Sequence, residues 1–142
     1  MFFFKENNHK IIKEWTNTHN KIRELSDEII NTYSSRDMKK VKKLLKEMSS
    51  IITNHFMEED IELHEICEHK ERMNENTLNE IKKFKETYPN VKKDMIHFFN
   101  ICSKKDYKID SYFFDEYTEL IDILKKKISF EEECLYTNLD EV

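Results

Sequence analysis

An all-α fold is predicted, an up-down-up-down antiparallel four-helix bundle whose third helix is interrupted near Pro89. Three observations predict it. The 142-residue chain has no Gly and one Pro, so it lacks the turn chemistry of all-β and α/β folds. Its apolar residues recur at spacings of three and four over stretches much longer than a strand. Its acids and bases, 37% of all residues, are interleaved as on solvated helix faces. The length fits one domain, residues 1–142, large enough to bury a core.

The first helix is expected from about Asn8 to Tyr33. Its apolar stripe reads Ile12, Trp15, His19, Ile22, Ser26, Ile29, Tyr33, the alternating seam of an antiparallel bundle. "SSRD" then breaks the helix and offers an N-cap to the next. The second helix runs from about Asp37 to near His69, with Val41, Leu45, Met48, Ile52, His55, Glu59, Leu63 and Ile66 on its stripe. Residues four apart share a face, so His55 and Glu59 point the same way. From Met73 to Ser103 the pattern is helical, but "TYPN" should kink or restart it at Pro89. Beyond the proline, Val91, Met95, Phe98, Phe99 and Cys102 form the apolar face. The last helix is expected from about Asp110 to Leu139, on Phe113, Tyr117, Leu120, Leu124, Ile128, Glu131 and Leu135, with Lys127 at the edge. Phe2, Phe3 and Phe4 are expected to dock across one end of the bundle.

Charge and cysteine content narrow the function classes. Net charge is −5, and lysine runs such as "MKKVKKLLK" carry apolar residues at helical spacing, so a nucleic-acid partner is not expected. No apolar run approaches a membrane span, and the start is too short in its apolar part for a signal peptide. Cys67, Cys102 and Cys134 share no metal-type spacing and fit reduced thiols in a cytoplasmic protein. Their acidic neighbours would raise rather than lower a thiol pKa.

Four ionisable groups point at one core: His19, His55, Glu59 and Glu131. A buried charge without a partner costs several kcal/mol or is neutralised. One partner is a metal, because imidazole and carboxylate ligands on facing helices suit iron, manganese or zinc. The other is a side chain, Glu59 with His19 and Glu131 with Lys127 or His55. Spacing alone leaves both open. His64 and His69 fall near a helix C-terminus, where cations are favoured, and His9 and His97 look exposed.

Three stretches carry a resemblance: "THNKIREL", "LLKEMSSIITNHFMEEDIEL" and "FFDEYTELIDILKKKISFEEECLYTNL". They resemble the first-, second- and last-helix motifs of hemerythrin-like (HHE cation-binding) domains over most of the chain. The resemblance implies ligand roles for His19, His55, Glu59 and Glu131 in a family that binds a pair of irons. The family's last-helix histidine is Lys127 here, its third-helix histidine best matches Met95, and Thr137 replaces a proline. The expectation is therefore a single iron, with manganese or zinc as substitutes, rather than a di-iron site. The chain is also similar, more faintly, to bacterial anti-sigma regulators of the Rsd/AlgQ type. That similarity implies a metal-free regulatory module whose protein partner docks on a helix face, near "MFFF", Tyr107, Tyr112 and Phe114. An oxidase or peroxidase would need the missing ligands, so enzymatic activity is not expected.

Overall fold

The computed structural model describes residues 2–68, 71 and 73–137, with only the backbone for residues 2–8 and 66. The described residues are helical, with no strand among them. Five α-helices follow in order: α1 (Phe2–Ser34), α2 (Met38–Glu68), α3 (Glu75–Thr87), α4 (Pro89–Cys102) and α5 (Ser111–Phe130). A π-helical turn, Glu131–Leu135, continues α5.

Local chemistry explains most boundaries. The α1–α2 turn passes through Arg36 at φ 61°. The Asp37 carboxylate then caps α2 by accepting from the Lys40 N–H at 3.1 Å, a bond of the kind that satisfies the orphan donors of a helix start. Asn74 caps α3 in the same way through Thr77 N–H, and Asp110 caps α5 through Phe113 N–H at 3.1 Å. Tyr88, at φ −109° and ψ 0°, ends α3, and Pro89 opens α4. Proline disfavours helical geometry in the residue before it and tolerates the first helical position, so the break falls where expected. One boundary differs. α1 begins at Phe2, not near Asn8, since no breaker intervenes. The docking expected of the Phe2, Phe3 and Phe4 side chains lies outside the described residues, as does His69.

Contacts show how the helices run. Along α1 and α2 the partners move in opposite directions: Glu28 with Lys40, Lys21 with Glu47, His19 with His55. α5 opposes α1 in the same sense, with Phe114 stacked on Tyr33, Tyr117 bonded to Ser26 and Glu132 bonded to Arg23. α4 opposes α2 through Lys42 with the Lys104 carbonyl and Lys92 with Asp60.

The core forms two apolar clusters. The larger runs from Ile22, Val41 and Phe113 to Phe56, Met95 and Ile128. The smaller holds Trp15, Leu63, Met73, Ile81, Phe84, Leu135 and Tyr136. Between them lie buried polar side chains from four of the helices and the π-turn: His19 from α1, His55 and Glu59 from α2, Lys92 from α4, Lys127 from α5 and Glu131 from the π-turn. Ser26, the other polar residue on the first stripe, lies outside this layer. Its hydroxyl donates to the Ile22 carbonyl at 2.7 Å, and its own carbonyl accepts from Tyr117 at 2.9 Å.

Candidate metal centre

Helical periodicity delivers His19, His55, Glu59 and Glu131 to one place. All four are buried, and one ligand atom from each lies within 4.8 Å of the others. His19 Nε2 stands 3.0 Å from His55 Nε2 and 3.0 Å from Glu131 Oε2, and His55 Nε2 stands 3.4 Å from Glu59 Oε2.

Two features aim His19. Its Nδ1 lies 3.0 Å from Glu132 Oε2, and Arg23 holds the other Glu132 oxygen at 2.6 Å. Burial opposes the Glu132 charge, but the Arg23 and His19 contacts hold its carboxyl below the usual range. A carboxylate only accepts, so the Nδ1 that faces it carries a proton, and Nε2 is turned inward toward His55 and Glu131. Carboxylate-held histidines of this form are the usual second layer of metal sites. Sequence reasoning missed this role of Glu132, whose signal was its place beside Glu131.

Lys127 is wholly buried, which corrects its expected place at the stripe edge. α5 turns its face so that Ile121, not Leu120, enters the core, and Lys127 follows. Its ammonium lies 3.2 Å from Glu59 Oε1 and bonds Glu131 Oε1. Burial alone would discharge it, but Glu59 and Glu131 outweigh that and keep Lys127 above the ordinary lysine value. Glu59 answers in kind. Burial opposes its charge, yet Lys127 and His55 hold its carboxyl well below the usual range.

A second ammonium enters from α4. Lys92 Nζ lies 3.2 Å from Glu59 Oε1 and 2.6 Å from Asp60. Both lysines also stand over aromatic faces, Lys127 at 4.7 Å from the Phe56 ring and Lys92 at 4.6 Å from Phe84, where a desolvated cation is favoured. Lys92 was not anticipated. Met95, which best matched the missing third-helix histidine, is instead buried in the larger apolar cluster. The signal was available: Lys92 precedes Met95 by three residues and so shares its face.

Tyr136 closes the site. Its Oη donates its one proton to Glu131 Oε2 at 2.7 Å, and lies 3.2 Å from Glu59 Oε2 and 3.4 Å from His19 Nε2. Its ring stacks on His19 and tilts on Trp15. Burial and the two carboxylates push its phenol well above the ordinary value. The π-turn makes this reach: Tyr136 N–H bonds the Glu131 carbonyl, an i→i−5 link. A regular 3.6-residue period would turn Tyr136 off the stripe, which is why it was missed. Single π-turns of this kind recur at functional sites.

Some pairings differ from the expected ones. His19 pairs with Glu131 and Glu132 rather than Glu59, and Glu59 pairs with His55, Lys92 and Lys127. His64 is exposed and pairs with Glu68, and His97 is exposed. His55 Nδ1 has no hydrogen-bond partner among the described residues.

The chemistry of the donor set suits a small divalent ion. Ligand atoms about 2.1 Å from such an ion stand about 3.0 Å apart at right angles and about 3.4 Å apart in a tetrahedron. The contacts of 3.0, 3.0 and 3.4 Å match those edges, but the four atoms spread to 4.8 Å, wider than the roughly 4.2 Å across such an ion, so an ion would have to draw the set together. His19, His55, Glu59 and Glu131 would hold the ion, and it would supply Lewis acidity or, for iron, redox chemistry. No protein-family model, curated protein or solved structure matches this chain.

Proposed function

We propose that the chain is a hemerythrin-like metal-binding or sensing module with a reduced, mononuclear site at His19, His55, Glu59 and Glu131. In this reading α1, α2, the broken pair α3–α4, and α5 are the four arms of an up-down-up-down bundle, and iron is the preferred ion. One observation carries it. His19 Nε2 faces Glu131 Oε2 at 3.0 Å. With no proton or cation between them, two lone pairs at that distance in a buried site repel. A metal ion relieves the contact, and so does a proton on Nε2. Lys127, bridging Glu59 and Glu131, supplies the charge that a second ion would supply in a di-iron site, and repels that ion.

The test is elemental analysis of the full chain after loading with Fe(II) under reducing conditions. About one iron per chain is expected, lost in His55→Ala and in Glu59→Ala. Protein that retains no metal, with a melting temperature indifferent to iron and chelator, refutes the metal reading.

That outcome would favour a second reading, which rests on Lys92 and Lys127. The two ammonium groups already balance Glu59 and Glu131, and Arg23 balances Glu132. The layer is then a structural polar core, and function lies on a helix face that receives a protein partner, as in an anti-sigma-like regulator.

A further inference from the structure

The outward face of α2 has an order that packing within the chain does not explain. Lys39, Lys43 and Lys46 are exposed on its N-terminal half, and Met57, Glu58, Ile61 and Glu65 on its C-terminal half. Steps of three and four place all but Glu58, at the edge, on one stripe. Among the described residues none of these three lysines and neither of these two glutamates forms an ion pair. Met57 and Ile61, each 56% exposed, are two of the three large hydrophobic side chains most open to solvent among the described residues.

The order opposes the helix's own field. Backbone dipoles favour anions at a helix N-terminus and cations at its C-terminus. α2 has no acid in its first turn and no base in its last, and it concentrates the two charges the unfavourable way round. Like charges crowd as well: burial, Glu65, Glu58 and Glu14 together push the Glu62 carboxyl up. Beside the lysines, a groove of about 780 Å³ is lined by Met38, Ser103 and Lys105 as well as the α2 lysines.

We infer that this face of α2 binds a second copy of the chain, antiparallel and about a two-fold axis near the middle of the helix. The arrangement sets the lysine half of each α2 against the glutamate half of the other. It also opposes the two helix dipoles and carries Met57 and Ile61 of each copy toward the partner's groove. A two-fold pairing uses one patch twice and closes at two chains. The 31 residues of α2 span about 46 Å. A contact stripe about 10 Å wide would then bury roughly 450 Å² per copy, under the roughly 800 Å² of a standard interface. The dimer is therefore weak, and because its charges are exposed it is salt-sensitive.

Sedimentation of the full chain tests this. A monomer–dimer equilibrium is expected at 50 mM salt, with dissociation strengthened about tenfold at 500 mM. The triple variant Lys39→Glu/Lys43→Glu/Lys46→Glu and the double variant Glu58→Lys/Glu65→Lys should each be monomeric, and an equimolar mixture should form a one-to-one dimer tighter than the wild type. All five positions are exposed, so helicity should be unchanged by circular dichroism. A wild type that stays monomeric at low salt and high concentration overturns the inference, as does a mixture that does not associate. A mass that keeps growing with concentration overturns the two-fold arrangement. Retention of a monomeric wild type on heparin, lost in the triple variant, assigns the lysines to a polyanion and overturns the inference too.

Discussion

Replacing Lys127 by Met isolates what the buried ammonium does. Lys127 is 0% exposed and bridges Glu59 at 3.2 Å to Glu131. Methionine keeps an unbranched apolar stem near Phe56 and Phe84 but removes the charge. Removing one partner of a buried ion pair costs about 3–5 kcal/mol, because the other is left uncompensated. Here two carboxylates are left, and Lys92, at 3.2 Å from Glu59, offsets part of the loss. A chain of this length loses roughly 2–4 °C of melting temperature per kcal/mol, so a fall of roughly 5–15 °C is expected in chelator.

The pH dependence carries the sign. The Glu59 carboxyl is held below its usual 4.5 in the folded chain, so its stabilisation is full above that value and lost as pH falls through the folded one. The Lys127 ammonium is held above its usual 10.5, so its stabilisation is full below that value and lost as pH rises through the folded one. The gap between wild type and Lys127→Met should therefore be widest on the alkaline side of neutral and below 10.5. It should narrow as pH falls, because the variant's buried carboxylates lack the ammonium and take up protons before those of the wild type. Thermal melts by circular dichroism from pH 3 to pH 9 measure the acid limb directly. A gap below about 2 °C at neutral pH, or one that widens as the pH falls below 4.5, would refute the account of Lys127 as the counter-ion of this core.

Further outcomes follow from the same geometry. Tyr136→Phe removes the buried hydrogen bond to Glu131, so denaturant titration should show a loss of about 1–3 kcal/mol. Glu132→Gln weakens the hold on His19 Nδ1 and should lower Fe(II) affinity by roughly 10–100-fold with little change in melting of the metal-free chain. An unchanged affinity would remove Glu132 from the site. Cys102 is almost wholly buried and its thiol is pushed up to about 11 by burial. A thiol reagent at pH 8 should label Cys67 and Cys134, both partly exposed, well before Cys102.

The surface shows how far side-chain type alone misleads. Tyr107, Tyr112 and Phe114 looked alike as exposed aromatics near the last connector. Only Tyr112 is exposed, at 82%. Phe114 stacks on Tyr33 and Tyr107 packs edge-on to Phe113, because the connector folds back on the core. Met57 and Ile61 drew no attention, although periodicity places both opposite His55 and Glu59.

The sequence by itself determined the helical class, the breaks at "SSRD" and Pro89, the N-cap within "SSRD", and the convergence of His19, His55, Glu59 and Glu131. Each of these follows from short-range physics: propensity, a cap reaching its own helix start, or a period of 3.6 residues that sets which way a side chain points. Only the tertiary structure decided who meets whom inside. Lys127 crossed from edge to centre because α5 rotates Ile121 inward. Lys92 arrived from α4 because Glu59 and two aromatic faces made a place for an ammonium group. Tyr136 reached the carboxylates because the π-turn lengthens one turn of helix by a residue. A charge can be buried only where opposite charges from other helices surround it, and that requirement is not written in any one helix.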